Sequence, residues 1–465
     1  MLEVFHQDSD RLDEVLQTVQ EWSKQFLKDL EQLPVVKEVP GIDAAEIPRS
    51  GTGALSAWNL FMETYGEYIT ANTSGRYLGF VTGGNSPAAL MADWLTSVLD
   101  MNATDVLSVS FQVDRAAIAC LHRLFSIPPS FQGTLVTGAT MANFTGLAVA
   151  REWWGEQQGV VISEEGTSVL PAFEILTCQA HSSSYKAISM LGIGRKHVRK
   201  IPVLPGREAV DVNALEQYLE QHPGRPHVFI ASAGTVNTAD FDDLVALVAL
   251  KARHQLYIHL DAAFGGFAAC SDSYAHLMNG WAGVDSITID GHKWMNIPYD
   301  GAAVFTKHRD LQLRVFQNPG AAYLGDPAVN FNFINYGPEN SRRLRALPIW
   351  FSCMAYGKDG FSDLVDQNIA WAKQFGQFIE RHPNFKLLAP VHLNVVCFAV
   401  NIPSDNPGEV TKRFLTNLHV GGEVFLTPSF YNGSPAIRAA FVNWRTSAKD
   451  LERLQGALEK ALEQL

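Results

Sequence analysis

Apolar residues recur at three- and four-residue steps near the amino terminus: Leu12, Val15, Leu16, Val19, Trp22, Phe26, Leu27 and Leu30. That spacing predicts one long amphipathic helix with a single apolar face. Pro34, Pro40, Gly41 and Pro48 then interrupt the pattern, so the face must pack elsewhere on the molecule or on a second subunit. A homodimer is the simplest arrangement that covers it.

From about residue 84 short apolar runs alternate with helix-length segments. Strands are predicted at Gly133 to Thr137, Phe173 to Gln179, Val198 to Val203, His227 to Ala231, Leu256 to Leu260 and Ser286 to Ile289, with helices such as Val212 to Gln221 and Leu244 to His254 between them. This alternation predicts an α/β fold with a mostly parallel sheet covered on both faces, and such sheets bind ligands at the carboxyl ends of their strands. After residue 341 the pattern changes to strands near Leu387, Val395 to Val400, Val424 and Ile437, a helix from Gly408, and a final helix that Ser447 and Asp450 mark with a capping box. Three regions are expected: an N-terminal helical segment over 1–75 that serves dimer packing, a large domain over 76–340 and a small α+β domain over 341–465.

Among 465 residues, 47% are hydrophobic, 11% aromatic and 18% charged, which fits a folded globular chain and argues against extended disorder. The net charge of -12 repels phosphate backbones, and the densest basic stretch, ending at Lys200, reads as a solvated turn. Nucleic acid is not an expected partner. Five widely spaced cysteines in apolar surroundings predict reduced thiols, and neither a signal-peptide core nor a membrane span is evident, so a cytoplasmic protein is expected.

Candidate chemistry starts at SITIDGHKWMNIPYDGAAVF, where Lys293 sits in a tight connection between two strand-like runs. A lysine there is either a packed stem with its head in water or a desolvated amine available as a nucleophile. In HLDAAFGG, Asp261 ends a strand among small residues; it could cap a helix, partner a protonated ring nitrogen or, with no HExxH or acidic cluster nearby, least plausibly bind a metal. In TLVTGATMANFTGL, Gly138, Ala139 and Thr140 open a helix whose N-terminus suits a phosphate or is a plain turn. In CQAHSSSYKAI, His181 is either a stacking ring or a hydrogen-bonded core histidine.

A lysine, a strand-end carboxylate, a phosphate cup and a flat ring are together the parts that pyridoxal 5'-phosphate requires. With these in order, the chain resembles the group II pyridoxal-phosphate-dependent amino acid decarboxylases through TGATMANFTGLAVAR, QAHSSSYKA, HLDAAFGG, DGHKW, AAYLGD and RRLRALPIWF, over roughly residues 76 to 350. The resemblance implies the fold type I architecture of pyridoxal-phosphate-dependent transferases. It implies that Lys293 carries the cofactor as an internal aldimine, that His292, Ala139 and Thr140 contact its phosphate, and that Asp261 holds its ring nitrogen protonated. Ala263 and His181 would lie on the two ring faces and Thr235 near the ring substituents. Tyr323 would protonate Cα from a mobile loop at about 318–340, and Arg438 would meet the substrate carboxylate. Where such family patterns commonly have an acid this chain has Met141.

The expected reaction is decarboxylation of an L-amino acid to its amine and carbon dioxide, without a metal. The alternatives are another reaction of the same cofactor, namely transamination, carbon–carbon lysis or aldehyde formation, or cofactor binding without turnover. Trp58, Phe80, Phe111 and Tyr323 permit an aromatic substrate, and Arg438 an acidic one.

Overall fold

A computed structural model describes residues 2–44, 46–169, 173–319 and 330–465. Seven strands form the main sheet: β1 (Gln132–Val136), β2 (Ile175–Thr177), β3 (Val198–Lys200), β4 (His227–Ser232), β5 (Leu256–Asp261), β6 (Ser286–Asp290) and β7 (Ala302–Thr306). Their order is β1-β7-β6-β5-β4-β2-β3. β7 runs antiparallel to both β1 and β6, and the other pairings are parallel. The carboxyl ends of β1, β2, β4, β5 and β6 therefore share one edge. Nearly every residue of β4, β5 and β6 is buried, as a sheet covered on both faces demands. Helix Ala139–Glu156 lies on one face, with Leu147, Ala148 and Ala150 in a core that also takes Val228, Ile230 and Tyr257.

Element ends depart from the sequence expectation for identifiable reasons. β3 stops at Lys200 because Pro202 follows and has no N–H to continue a ladder. The helix expected to reach His254 ends at Leu250, where the chain tightens into three-residue hydrogen bonds such as Arg253 N to Leu250 O. No strand forms at Val424. Phe425 instead makes an isolated bridge with Tyr77, and the ladder starts three residues past Val424.

The second sheet is antiparallel, with order β10-β11-β9-β8, built from β8 (Phe385–Leu387), β9 (Val395–Val400), β10 (Thr427–Tyr431) and β11 (Ser434–Ala440). Helices Pro407–Val420 and Ala448–Glu463 cover it, the latter opened by the Ser447–Asp450 capping box. Helix Ala346–Arg381, kinked where Gly357 takes a φ of 58°, joins the two cores: residues up to Ile369 pack with the first and residues from Ala372 with the second. A positive φ is cheap only for glycine.

The amphipathic helix expected from Leu12 forms over Leu12–Lys28, preceded by a short helix, Glu3–Asp10, that ends at Arg11. Its distal part is anchored: Trp22 stacks on Phe26 with centroids 5.1 Å apart and meets Trp58 edge-on at 5.9 Å. Leu12 and Leu16, on the same face, are 52% and 54% exposed.

Asp114 and Arg342, far apart in sequence, form a buried ion pair inside the large core. Burial outweighs the guanidinium and pushes the Asp114 carboxyl up. Removing one member strands the other without water, so Asp114→Ala is expected to cost about 3–5 kcal/mol of stability, read as a fall in Tm. The double replacement by apolar residues should recover most of that loss.

Candidate active site

Five strand ends and one strand of the small sheet converge on a cavity of about 290 Å³. Ala139 and Thr140 enter it from the turn after β1, His181 from the turn after β2 and Thr235 from the turn after β4. Asp261 ends β5 and Ala263 follows it, while His292 and Lys293 lie just past β6. Arg438 reaches in from β11. Nine residues singled out in the sequence thus line one cavity. The tenth, Tyr323, lies outside the described residues, as does part of the segment 318–340.

The connection that carries Lys293 is held rigidly. Trp294 is fully buried and its Nε1 donates to Asn368 Oδ1 at 2.8 Å. Asn296 Nδ2 donates to the carbonyls of Trp294 and Val442 at 2.8 and 2.9 Å. Lys293 is half-buried, its Nζ lies 5.5 Å from the centroid of Phe264, and among the described residues no carboxylate pairs with it. On its other side a Cβ on Gly83 would fall 2.1 Å from the Lys293 carbonyl oxygen. Only glycine permits that approach. Gly83→Ala is therefore expected to push the lysine connection out of place and lower kcat/KM by about a hundred-fold, since ångström-scale misplacement costs that much, while the far-ultraviolet circular dichroism stays native.

Asp261 is fixed on both oxygens: Oδ1 accepts from the Ala263 N–H at 3.2 Å, and Oδ2 from Asn143 Nδ2 at 2.9 Å. Asn143 was visible in the sequence only as a periodic helix position, yet it is the hub of the site's supporting layer. A carboxylate only accepts, so the amide nitrogen must face Asp261. The amide oxygen then accepts from Thr288 Oγ1 at 2.7 Å and from His259 Nε2 at 3.0 Å, and Ser286 Oγ supplies the proton to His259 Nδ1 at 2.7 Å. Burial pushes the His259 imidazole down to about 4. The unfolded chain therefore takes up this proton first as pH falls, and stability is lost between about pH 6.5 and 4, by on the order of 3 kcal/mol from this residue. Melting curves of the wild type and His259→Asn should converge as pH falls through that window.

His181 serves two purposes. Its Nδ1 accepts from the Ser183 N–H at 3.2 Å, which caps helix Ser182–Met190, so the neutral ring carries its proton on Nε2. Burial, reinforced by Lys293 and Arg438 and opposed by Asp261, holds its pKa below the usual range. The neutral ring faces the cavity. The capping role is not legible in the sequence, where His181 reads as a stacking ring or a core histidine.

The phosphate cup differs from the sequence expectation in one respect. The Ala139 N–H is committed to Asp290 Oδ2 at 2.9 Å, which leaves Thr140 as the open donor of that turn. Asp290 Oδ1 also lies 2.8 Å from His292 Nδ1, without hydrogen-bond geometry. Met141 packs beside Val136, Ala142, Ala302 and Val304. Arg438 donates from Nη1 to Val236 O at 3.1 Å and from Nη2 to Gly79 O at 3.2 Å, and its Nε is buried without a partner among the described residues. Burial pushes its guanidinium down from the usual value. Lys293 and Arg438, free of ion pairs among the described residues, face the same cavity as Asp261 and Asp290, so it offers both cationic and anionic groups to a ligand. Of the aromatic candidates Phe80 lines the cavity, whereas Trp58 packs on Trp22 and Phe111 on Phe333. All five cysteines are free thiols, and the described residues hold no cluster of three or more metal-binding side chains. No described helix is long and apolar enough to cross a membrane.

Residues 64–401 match the family described as the pyridoxal-dependent decarboxylase conserved domain. The chain is 26% identical over 433 residues to an aromatic-L-amino-acid decarboxylase from Bacillus atrophaeus, covering 90% of this chain and 88% of that one. It superposes on Oryza sativa TDC, solved with PLP and tryptamine, with a TM-score of 0.89 at 20% identity and 98% of both chains covered. It also superposes on Rhodiola rosea 4-hydroxyphenylacetaldehyde synthase with a TM-score of 0.85 at 18% identity, again over 98% of both. The chain belongs to the pyridoxal-dependent decarboxylase family. It has the fold type I architecture, and it is a carboxy-lyase whose cofactor is pyridoxal 5'-phosphate.

The residues present fit that cofactor. Lys293, without an ion pair among the described residues, Asp261 pinned at a strand end, the helix N-terminus at Thr140 and Arg438 all line one cavity.

Proposed function

We propose that the protein decarboxylates an L-amino acid to its amine. The observation that carries this reading is the convergence of Lys293, Asp261 and Arg438 on one cavity. Bound there, the cofactor ring takes up the electron pair released at Cα when the bond to the carboxylate breaks. The chain's own groups do the rest. The Lys293 amine holds the cofactor and yields to the incoming amine. Asp261, kept in place by Asn143, holds a proton at the ring nitrogen. His181 and Ala263 would flank the ring, Thr140 and His292 would meet the phosphate, and Thr235 would lie toward the ring substituents. Arg438 receives the substrate carboxylate, and Tyr323 returns a proton to Cα. Phe80, 48% exposed beside Tyr77 and Phe425, favours a flat substrate side chain.

Incubating the cofactor-loaded enzyme with each of the twenty L-amino acids, while measuring carbon dioxide, amine, aldehyde and peroxide, tests this. Amine in step with carbon dioxide is expected. Aldehyde with peroxide would instead assign the aldehyde-forming reaction, and keto acid without carbon dioxide would assign transamination.

A homodimer belongs to the same reading. Met91, Trp94, Leu95 and Val98 form an i, i+3, i+4, i+7 stripe on helix Pro87–Leu99, and it faces solvent at 66%, 43%, 37% and 74% exposure. Leu12 and Leu16 are exposed as well, and an apolar stripe of this kind marks a surface that a second copy can cover. Light scattering of the wild type should give twice the chain mass, and Val98→Lys should lower it.

A further inference from the structure

Behind the cavity wall lies Glu208, a carboxylate that is 3% exposed and has no cationic partner within ion-pair distance among the described residues. Four neutral donors converge on it. Oε2 accepts from Thr235 Oγ1 at 2.6 Å and Thr238 Oγ1 at 2.8 Å, and Oε1 from Asn237 Nδ2 at 3.1 Å and Gln179 Nε2 at 3.4 Å. Three of the four belong to the turn 235–238 that follows β4. A buried carboxylate held this way is a costly means of securing a turn, because removing it from water is offset only in part by neutral donors.

What the turn does in the site supplies a reason for the cost. Thr235 and Val236 line the cavity, and the Val236 carbonyl accepts from Arg438 Nη1. The Thr235 hydroxyl gives its proton to Glu208 and accepts from the Asp240 N–H at 3.0 Å, so its orientation is set from behind. The Glu208 charge also partly counters the burial that pushes the Arg438 guanidinium down. We propose that Glu208 is a positioning residue for substrate binding: by clamping turn 235–238 it sets where the Val236 carbonyl holds Arg438, and so where the substrate carboxylate docks. The proposal rests on the reading of Arg438 given above.

The test compares wild type, Glu208→Ala, Glu208→Gln, Arg438→Gln and the Glu208→Ala/Arg438→Gln pair as holoenzymes, with the amino acid that the panel shows to be turned over fastest as the probe. Glutamine keeps the size of the side chain but has one accepting oxygen for four donors, so it guards against a misfolded alanine variant. Both Glu208 variants should raise KM about ten-fold, the scale of a lost charge-assisted contact. Their kcat and cofactor content should stay near wild type, while Tm falls in both, because buried donors of turn 235–238 lose their acceptor. The pair should show no higher KM than Arg438→Gln alone, since both changes act through one guanidinium.

An unchanged KM in the Glu208 variants alongside a raised KM in Arg438→Gln overturns the positioning role and leaves the Arg438 reading intact. An unchanged KM in Arg438→Gln overturns both. A joint fall in kcat and cofactor content, or multiplication of the two effects in the pair, makes Glu208 merely structural and also overturns the proposal.

Discussion

Lys293→Ala is expected to lower turnover by roughly 10⁴-fold, because on the proposed function it removes both the covalent holder of the cofactor and the amine that exchanges with substrate. Borohydride reduction followed by mass spectrometry reads the cause directly. The wild type should gain the mass of the reduced cofactor on the peptide that carries Lys293, and the variant should gain none. The rigid anchoring of Trp294 and Asn296 means that the fold survives the change, so a near-native Tm should accompany the loss. Turnover within ten-fold of wild type would show that another group does the chemistry.

The next largest effect belongs to Asp261→Asn. The amide keeps the shape and can still meet the Ala263 N–H, but the negative charge beside the ring nitrogen is gone. One preorganised charge at the place where charge develops is worth about 10²–10³-fold in kcat. The variant also places an amide opposite Asn143 Nδ2, so the supporting hydrogen bond at 2.9 Å must invert or break. Asn143→Ala, which leaves the charge and removes only its orientation, should cost less. If the two variants are equally impaired, Asp261 acts mainly through geometry, and the charge argument fails.

The two variants also separate what can be read from residue order from what cannot. Lys293, Asp261, His181 and the Gly138–Thr140 turn were recognisable because each follows a short apolar run, and the parallel sheet brings all strand ends to one edge. Asn143, His259 and Glu208 left no such mark. Asn143 reads as one polar position on a helix and Glu208 as a loop acid, and only packing shows that one holds Asp261 and the other holds turn 235–238. The amino-terminal apolar face was visible, but the short helix Glu3–Asp10 before it and the difference between half-buried Trp22 and bare Leu12 were not.

By itself the sequence determined the alternation of buried strands and helices, the side from which a ligand enters and the residue types that meet it, because these depend on local periodicity and on chemistry at strand ends. Tertiary structure alone decided that the Val236 and Gly79 carbonyls hold Arg438 at that edge, that the Ala139 N–H belongs to Asp290, and which buried polar groups orient Asp261 and Thr235. The physical reason is that hydrogen-bond partners inside a core are chosen by three-dimensional proximity, because a buried polar atom left without one is costly. Separation along the chain does not encode that choice.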